Sequence, residues 1–227
     1  MPLIEPLPAL FKSSKLMLLD FADIPKTIPI EANIRAFFAD YERRGLNPRL
    51  PEHRQQFNNR FLSVSKTRYL VSRYGEDRSA MLTGSQIAKE GRTLHMGIDI
   101  FCKDLAPVFA PCDGVIVRTG FEAEAHSYGH YLLLKPDQDI DVYLFFGHLS
   151  KALPKLGPVK AGEHIATLGD YQHNENGGWS RHLHLQCCSE LPPEGQTPIG
   201  YSTKQAFLEN SRRFPNPFQY FPKWHVD

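Results

Sequence analysis

Three short segments contain the residue types that could perform chemistry together. They are His95-Met96-Gly97-Ile98-Asp99, Gly147-His148-Leu149-Ser150 and His182-Leu183-His184. In the last, histidine alternates with leucine. Residues two apart share a face on a strand but not on a helix. A strand therefore sets His182 and His184 on one side, about 6.6 Å apart along the chain, and sends Leu183 and Leu185 to the core. At that separation one imidazole can bind a metal while its neighbour faces the metal-bound water. His95 and Asp99 are harder to bring together, because an ideal strand would part their Cα atoms by about 13 Å. The segment must bend, and Gly97 lies midway, where it permits a turn. Two histidines and one carboxylate, with a fourth position left for water, make the open ligand set of a catalytic zinc site. Zinc in such a site lowers the pKa of bound water to about 7 and polarises a carbonyl oxygen. The histidines left over are then available for proton transfer or oxyanion stabilisation.

The three motifs, His95-x-x-x-Asp99, Gly147-His148-Leu149-Ser150 and His182-x-His184, resemble those of the M23 metallopeptidases, the LytM or lysostaphin-like family. The likeness covers roughly residues 90 to 190. It implies that His95, Asp99 and His184 hold one zinc ion and that His148 and His182 are the catalytic histidines. It also implies a β-sandwich core with the site in a groove on one sheet, and a peptide or peptidoglycan-like substrate. Secreted members more often show Gly-Pro before the last strand and Phe-Glu after it. Here the flanks are Ser180-Arg181 and Leu185-Gln186, which is closer to M23-like domains found in multidomain chains.

The rest of the chain must supply the frame. Its 227 residues suit one domain or two. A net charge of +1 without a long run of one sign gives no electrostatic reason to expect nucleic acid or a membrane surface. Cys102, Cys112, Cys187 and Cys188 form no CxxC pair and read as buried thiols. The N-terminus lacks a basic segment followed by an apolar one, and no stretch of about 20 apolar residues exists to span a bilayer. The chain as given reads as cytoplasmic, or as periplasmic or secreted if a leader has been removed.

Residues 1–88 read as an N-terminal helical or irregular segment. Ile30, Ile34, Phe37, Phe38 and Tyr41 recur at helical spacing, and Gly45 with Pro48 ends that helix. A second helix is expected from about Pro51 to Phe61. This segment is a buttress on the main domain or a lid, and Asn58 or His53 could reach the metal from it.

Residues 89–190 read as a mainly β, antiparallel sandwich domain. Asp113-Gly114 predicts a hairpin turn between strands at 107–109 and 115–117. Further strands are expected at 130–134, 142–146 and 164–169. Trp179, Arg181 and His130 are candidate substrate-groove residues, whereas His126, His164 and His173 read as structural. Residues 191–227 read as a tail packed on the core, with a short helix from Thr203 to Phe214, capped by Ser202 or Thr203 and stopped by Pro215.

Two readings compete with a zinc-dependent peptidase or amidase. One is a non-catalytic binding or regulatory module that keeps the site for recognition. The other is a histidine phosphocarrier on a related β-sandwich, which has no need of a carboxylate such as Asp99.

Overall fold

The computed structural model describes residues 16–19, 43–47, 50–64, 69–82, 84–137 and 140–220. The helix expected over 30–41 lies outside them. The described architecture is mainly β. Twelve strands, numbered here in chain order, form three sheets.

The large sheet has eight strands in the order β1-β2-β4-β11-β8-β7-β6-β9. They are β1 (Leu16–Leu19), β2 (Tyr69–Ser72), β4 (Ile98–Phe101), β6 (Gly114–Phe121), β7 (His130–Pro136), β8 (Tyr143–Leu149), β9 (Gly157–Val159) and β11 (His182–Cys188). All its pairings are antiparallel except that of β1 with β2. β2 precedes residue 88, yet it is hydrogen-bonded directly to β4, so the sheet continues into the N-terminal segment.

The other two sheets have two strands each. β5 (Pro107–Phe109) pairs with β10 (His164–Thr167), and β3 (Arg92–His95) pairs with β12 (Tyr201–Thr203).

Period-two alternation sorts the side chains. Ile98, Ile100, Leu132, Leu134, Leu144, Phe146, Leu183 and Leu185 face one way and pack with Val108, Ile165 and Ala166 of the β5/β10 sheet. That small sheet is the second layer of the sandwich. On the opposite face Met96, Tyr131, Leu133, Phe145 and Phe214 form a smaller core around the buried polar residues Asp99, His182 and His184. Every residue of β11 is buried. All four cysteines are free and buried, as their apolar neighbours predict.

The Asp113-Gly114 hairpin does not form. β5 pairs with β10, and β6 with β7 and β9, so residues 110–113 carry the chain from one sheet to the other. Asp113 instead accepts hydrogen bonds from Ala161 N and Lys160 Nζ. The adjacent strand signals were real, but burial of Val108 and Ile116 in one inter-sheet core outweighed local turn chemistry.

Helix α1 (Pro51–Val64) starts with proline and an acidic residue, which suit a helix N-terminus. It runs three residues beyond the expected Phe61. Short helical turns α2 (Ser79–Leu82), α3 (Gln86–Lys89) and α4 (His173–Asn176) follow. The last helix, α5, covers only Phe207–Arg213. Thr203 belongs to β12, and its hydroxyl accepts from Ala206 N rather than capping a helix that starts there.

Candidate metal centre and its cleft

The ladder places Asp99 and His184 directly opposite one another on β4 and β11, with His182 opposite Phe101. Directly opposed side chains on one face of a sheet are close enough to interact. On the other side of β11, His184 stands opposite Gly147, the residue before His148. His95 ends β3 on a separate sheet, and two residues carry the chain to β4. Gly97 lies in that link without a left-handed backbone. Its need for glycine is one of space: a Cβ there would stand 2.6 Å from His184 Cε1 and 2.8 Å from the Leu185 carbonyl oxygen.

His95 Nε2, Asp99 Oδ1 and His184 Nδ1 thereby converge. The separations are 3.1 Å between the two nitrogens, 3.5 Å from His95 Nε2 to Asp99 Oδ1, and 3.0 Å from His184 Nδ1 to Asp99 Oδ1. All three residues are buried. Ligands about 2.0–2.1 Å from a tetrahedral zinc stand about 3.3 Å apart, so the spacing fits that ion.

Hydrogen bonding supports the same assignment. Gln186 Nε2 donates to the Ile199 carbonyl, which turns Gln186 Oε1 toward His184 Nε2 at 2.9 Å. His184 must then carry its proton on Nε2 and present a bare lone pair from Nδ1. That lone pair faces the Asp99 oxygen, and a cation between them relieves the repulsion. The His95 Nδ1 atom is buried and makes no hydrogen bond.

His182 and His148 complete the cluster, with ring centroids 4.3 Å apart. Nδ1 of His182 lies 2.6 Å from the Ser180 carbonyl oxygen, and Nδ1 of His148 lies 2.8 Å from that of Asn176. A carbonyl oxygen only accepts, so both rings hold their proton on Nδ1 and present Nε2 as a base. His182 Nε2 is 3.6 Å from Asp99 Oδ1. His148 adopts a positive φ of 63°, uncommon for a side chain with a Cβ. Backbone bonds from His148 N to Tyr128 O and from Gly169 N to His148 O hold it there.

Burial shapes the electrostatics. It lowers the pKa of His182 to about 4, although Asp99 opposes the shift. Burial, reinforced by charges nearby, holds His95 and His148 well below the ordinary histidine value. Burial works against ionisation of Asp99, but the Arg78 guanidinium 2.6 Å away opposes it and the carboxyl is held well below the usual range. Asp99 is therefore an anion, and His95, His148 and His182 are neutral imidazoles.

A cleft of about 320 Å³ opens over the cluster. Its walls include Phe57 and Asn58 of α1, Phe101, Tyr128, Trp179 and Tyr201. Of the expected groove residues, Trp179 lines the cleft, and His130 and Arg181 do not. His130 instead packs on Phe121, and Arg181 pairs with Asp170 and donates to the Lys103 carbonyl. Neighbourhood in the chain carries neither side chain into the cleft lining. Trp179 is fixed by Nε1 donating to the Ser127 carbonyl, and Arg54 of α1 lies 4.9 Å from its ring centre.

Asn58 donates to Ser180 Oγ and His53 Nδ1 accepts from Asn47 N, so their hydrogen bonds run to partners other than the three donors. His126, read as structural, lines the cleft edge-on to Trp179. Nothing in its spacing marked it.

Residues 93–193 match the model of peptidase family M23. A protein of Haemophilus influenzae described as an uncharacterized metalloprotease is 35% identical over 94 residues, covering 40% of this chain and 18% of that protein. The chain thus spans under a fifth of that relative's length. Among solved structures, the catalytic domain of the antimicrobial peptidase lysostaphin from Staphylococcus simulans is 27% identical, with a TM-score of 0.38, over 52% of this chain and 80% of that one. A zinc-containing peptidase from Vibrio cholerae is 28% identical, with a TM-score of 0.35, over 42% of this chain and 27% of that one. The His-Asp-His cluster lies inside the residues that match the peptidase family M23 model.

Proposed function

We propose that this protein is a zinc-dependent peptidase that hydrolyses peptide bonds in peptidoglycan-type or other peptides, using one zinc ion. The observation that carries the reading is the convergence of His95 Nε2, Asp99 Oδ1 and His184 Nδ1 within 3.0–3.5 Å of one another. Zinc bound in an open site of this kind activates water and polarises a carbonyl.

The chain's own groups supply the rest. His182 and His148 each direct an unprotonated Nε2 into the cleft, because backbone carbonyls occupy their Nδ1 protons. His182, whose Nε2 stands 3.6 Å from Asp99 Oδ1, is the group that takes a proton from the attacking water. His182 then returns that proton to the leaving amine, and His148, beside it, accepts the water's other hydrogen bond at its bare Nε2 and so holds the water for attack. Trp179 and Phe57 form apolar walls that hold a peptide in extended form and exclude bulk water. Helix α1 serves as a buttress that forms one wall of the cleft.

Two measurements test the proposal. Metal analysis of purified protein should give one zinc per chain. A glycine-rich peptide should be cleaved by the wild type and not by His148→Ala. Zinc binding without cleavage of any peptide would leave the binding-module reading, and no bound metal would remove the zinc reading altogether.

A further inference from the structure

We infer that Arg78, held by Glu76, is the positioning residue that fixes the metal-facing oxygen of Asp99. This rests on the reading of His95, Asp99 and His184 as zinc ligands. Both residues precede the region that matches the family model.

The geometry is a buried relay. Arg78 Nη1 donates to Asp99 Oδ2 at 2.6 Å, and Arg78 Nε donates to Glu76 Oε1 at 2.6 Å. Their side chains are 3% or less exposed. With Oδ2 engaged, Asp99 turns Oδ1 alone toward the three histidines. A carboxylate free to rotate could offer either oxygen or both. The guanidinium thus selects a single-oxygen ligand and sets its direction.

Glu76 keeps the arginine in place, and its other oxygen accepts from Arg73 N. The backbone around the relay is tied to the same ligands. Gly75 N donates to His95 O, His95 N to Glu76 O, and Arg78 N to Thr93 O. Asp99 N donates to Ser72 Oγ at 2.7 Å. Residues 72–78 therefore grip both His95 and Asp99 from outside the family-matched region.

Charge supports the assignment. Two buried carboxyl groups, Glu76 and Asp99, thus share one guanidinium, and Asp99 Oδ1 is left free of Arg78 for a cation on its other side. Groups that orient metal ligands through a second hydrogen bond typically change metal affinity by about 10- to 100-fold when removed.

The test uses the full chain and competition against a chromophoric zinc chelator, with the thermal midpoint of the metal-free protein measured alongside. Arg78→Met should bind zinc about tenfold more weakly or worse. Arg78→Lys should fall between it and the wild type, because an ammonium can reach Asp99 but cannot span both carboxylates as a planar fork. The absorption bands of cobalt substituted for zinc should shift in Arg78→Met. Affinity within about twofold of wild type, with unchanged cobalt bands, would overturn the inference even if the metal-free midpoint falls, since that is what a merely structural arginine predicts. If Arg78→Met fails to fold, Arg78→Lys and Glu76→Gln carry the test, each expected to weaken zinc by about threefold or more, and unchanged affinity in both overturns it. Failure of the wild type to bind zinc would sink the ligand assignment instead, so the two failures are distinguishable.

Discussion

Gly97 and His184 are in contact across the link between β3 and β4, and the missing side chain of one leaves room for the ring of the other. A Cβ at position 97 would meet His184 Cε1 at 2.6 Å and the backbone oxygen of Leu185 at 2.8 Å. The backbone oxygen cannot swing aside, so the imidazole must. Gly97→Ala should therefore weaken zinc about tenfold or more by moving a ligand and cost about 1–3 kcal/mol through overpacking. Chelator competition and thermal unfolding read the two effects separately.

Gln186 is the second control on that ring. Its carbonyl oxygen accepts a hydrogen bond from His184 Nε2 and so leaves Nδ1 for metal. Gln186→Leu removes the acceptor, and zinc affinity should fall by about 10- to 100-fold. Gln186→Glu keeps an acceptor at the same place and should hold zinc at least as tightly as the wild type. Equal losses in the two variants would show that the tautomer is fixed by something else.

Nδ1 of His148 and of His182 each bonds a backbone carbonyl oxygen rather than one of the three ligands. Replacing either by alanine should lower kcat by about 10²–10⁴-fold. Zinc content should stay at the wild-type level. A variant that loses the metal along with activity would reassign that histidine to the ligand set.

Much of this constellation was legible because it depends on short-range geometry. Alternation of histidine and leucine could mean only a strand with one polar face, and β11 has that face. Gly97 was the right residue to single out, but the reason lay in the neighbouring strand and not in its own backbone angles. Arg78 and Gln186 carried no local signal. Each acts through a contact that exists only once separate strands and loops are packed, as when Arg78 reaches Asp99 across 21 residues. The Asp113-Gly114 turn misled for the complementary reason: its dipeptide is a hairpin signal in isolation, and the sheet in which each flanking strand finds its partners is set by the whole core.

Buried neutral histidines make the metal-free protein sensitive to acid. The unfolded chain binds protons at histidine near pH 6.5, whereas folded His182 does so only at about 4. Between those values the unfolded state holds more protons, so stability falls as pH falls. His182 alone contributes a loss on the order of 3 kcal/mol across that window. His95 and His148, held well below the ordinary value by burial, extend the loss to lower pH. Thermal midpoints of chelator-treated protein should drop steadily from pH 6.5 to 4, and His182→Gln should flatten part of the slope. A midpoint flat over that range would show that these imidazoles are not buried in the neutral form.

Gln55 fastens helix α1 to the backbone beside two of the site strands. Gln55 Oε1 accepts from Arg181 N at 2.6 Å, and its amide nitrogen donates to the Cys102 carbonyl at 3.0 Å. Gln55 is itself buried, so both backbone groups depend on it. Gln55→Ala leaves a donor and an acceptor without partners, at a cost of about 1–3 kcal/mol. For a chain of this size that corresponds to a midpoint lowered by roughly 3–10 °C. His95, Asp99 and His184 sit on β3, β4 and β11 rather than on α1. Zinc affinity should accordingly stay within about twofold of wild type, while cleavage of a long peptide weakens through a higher KM as the cleft wall loosens. If zinc affinity falls as far as stability does, α1 is part of the metal centre and not a wall of the cleft.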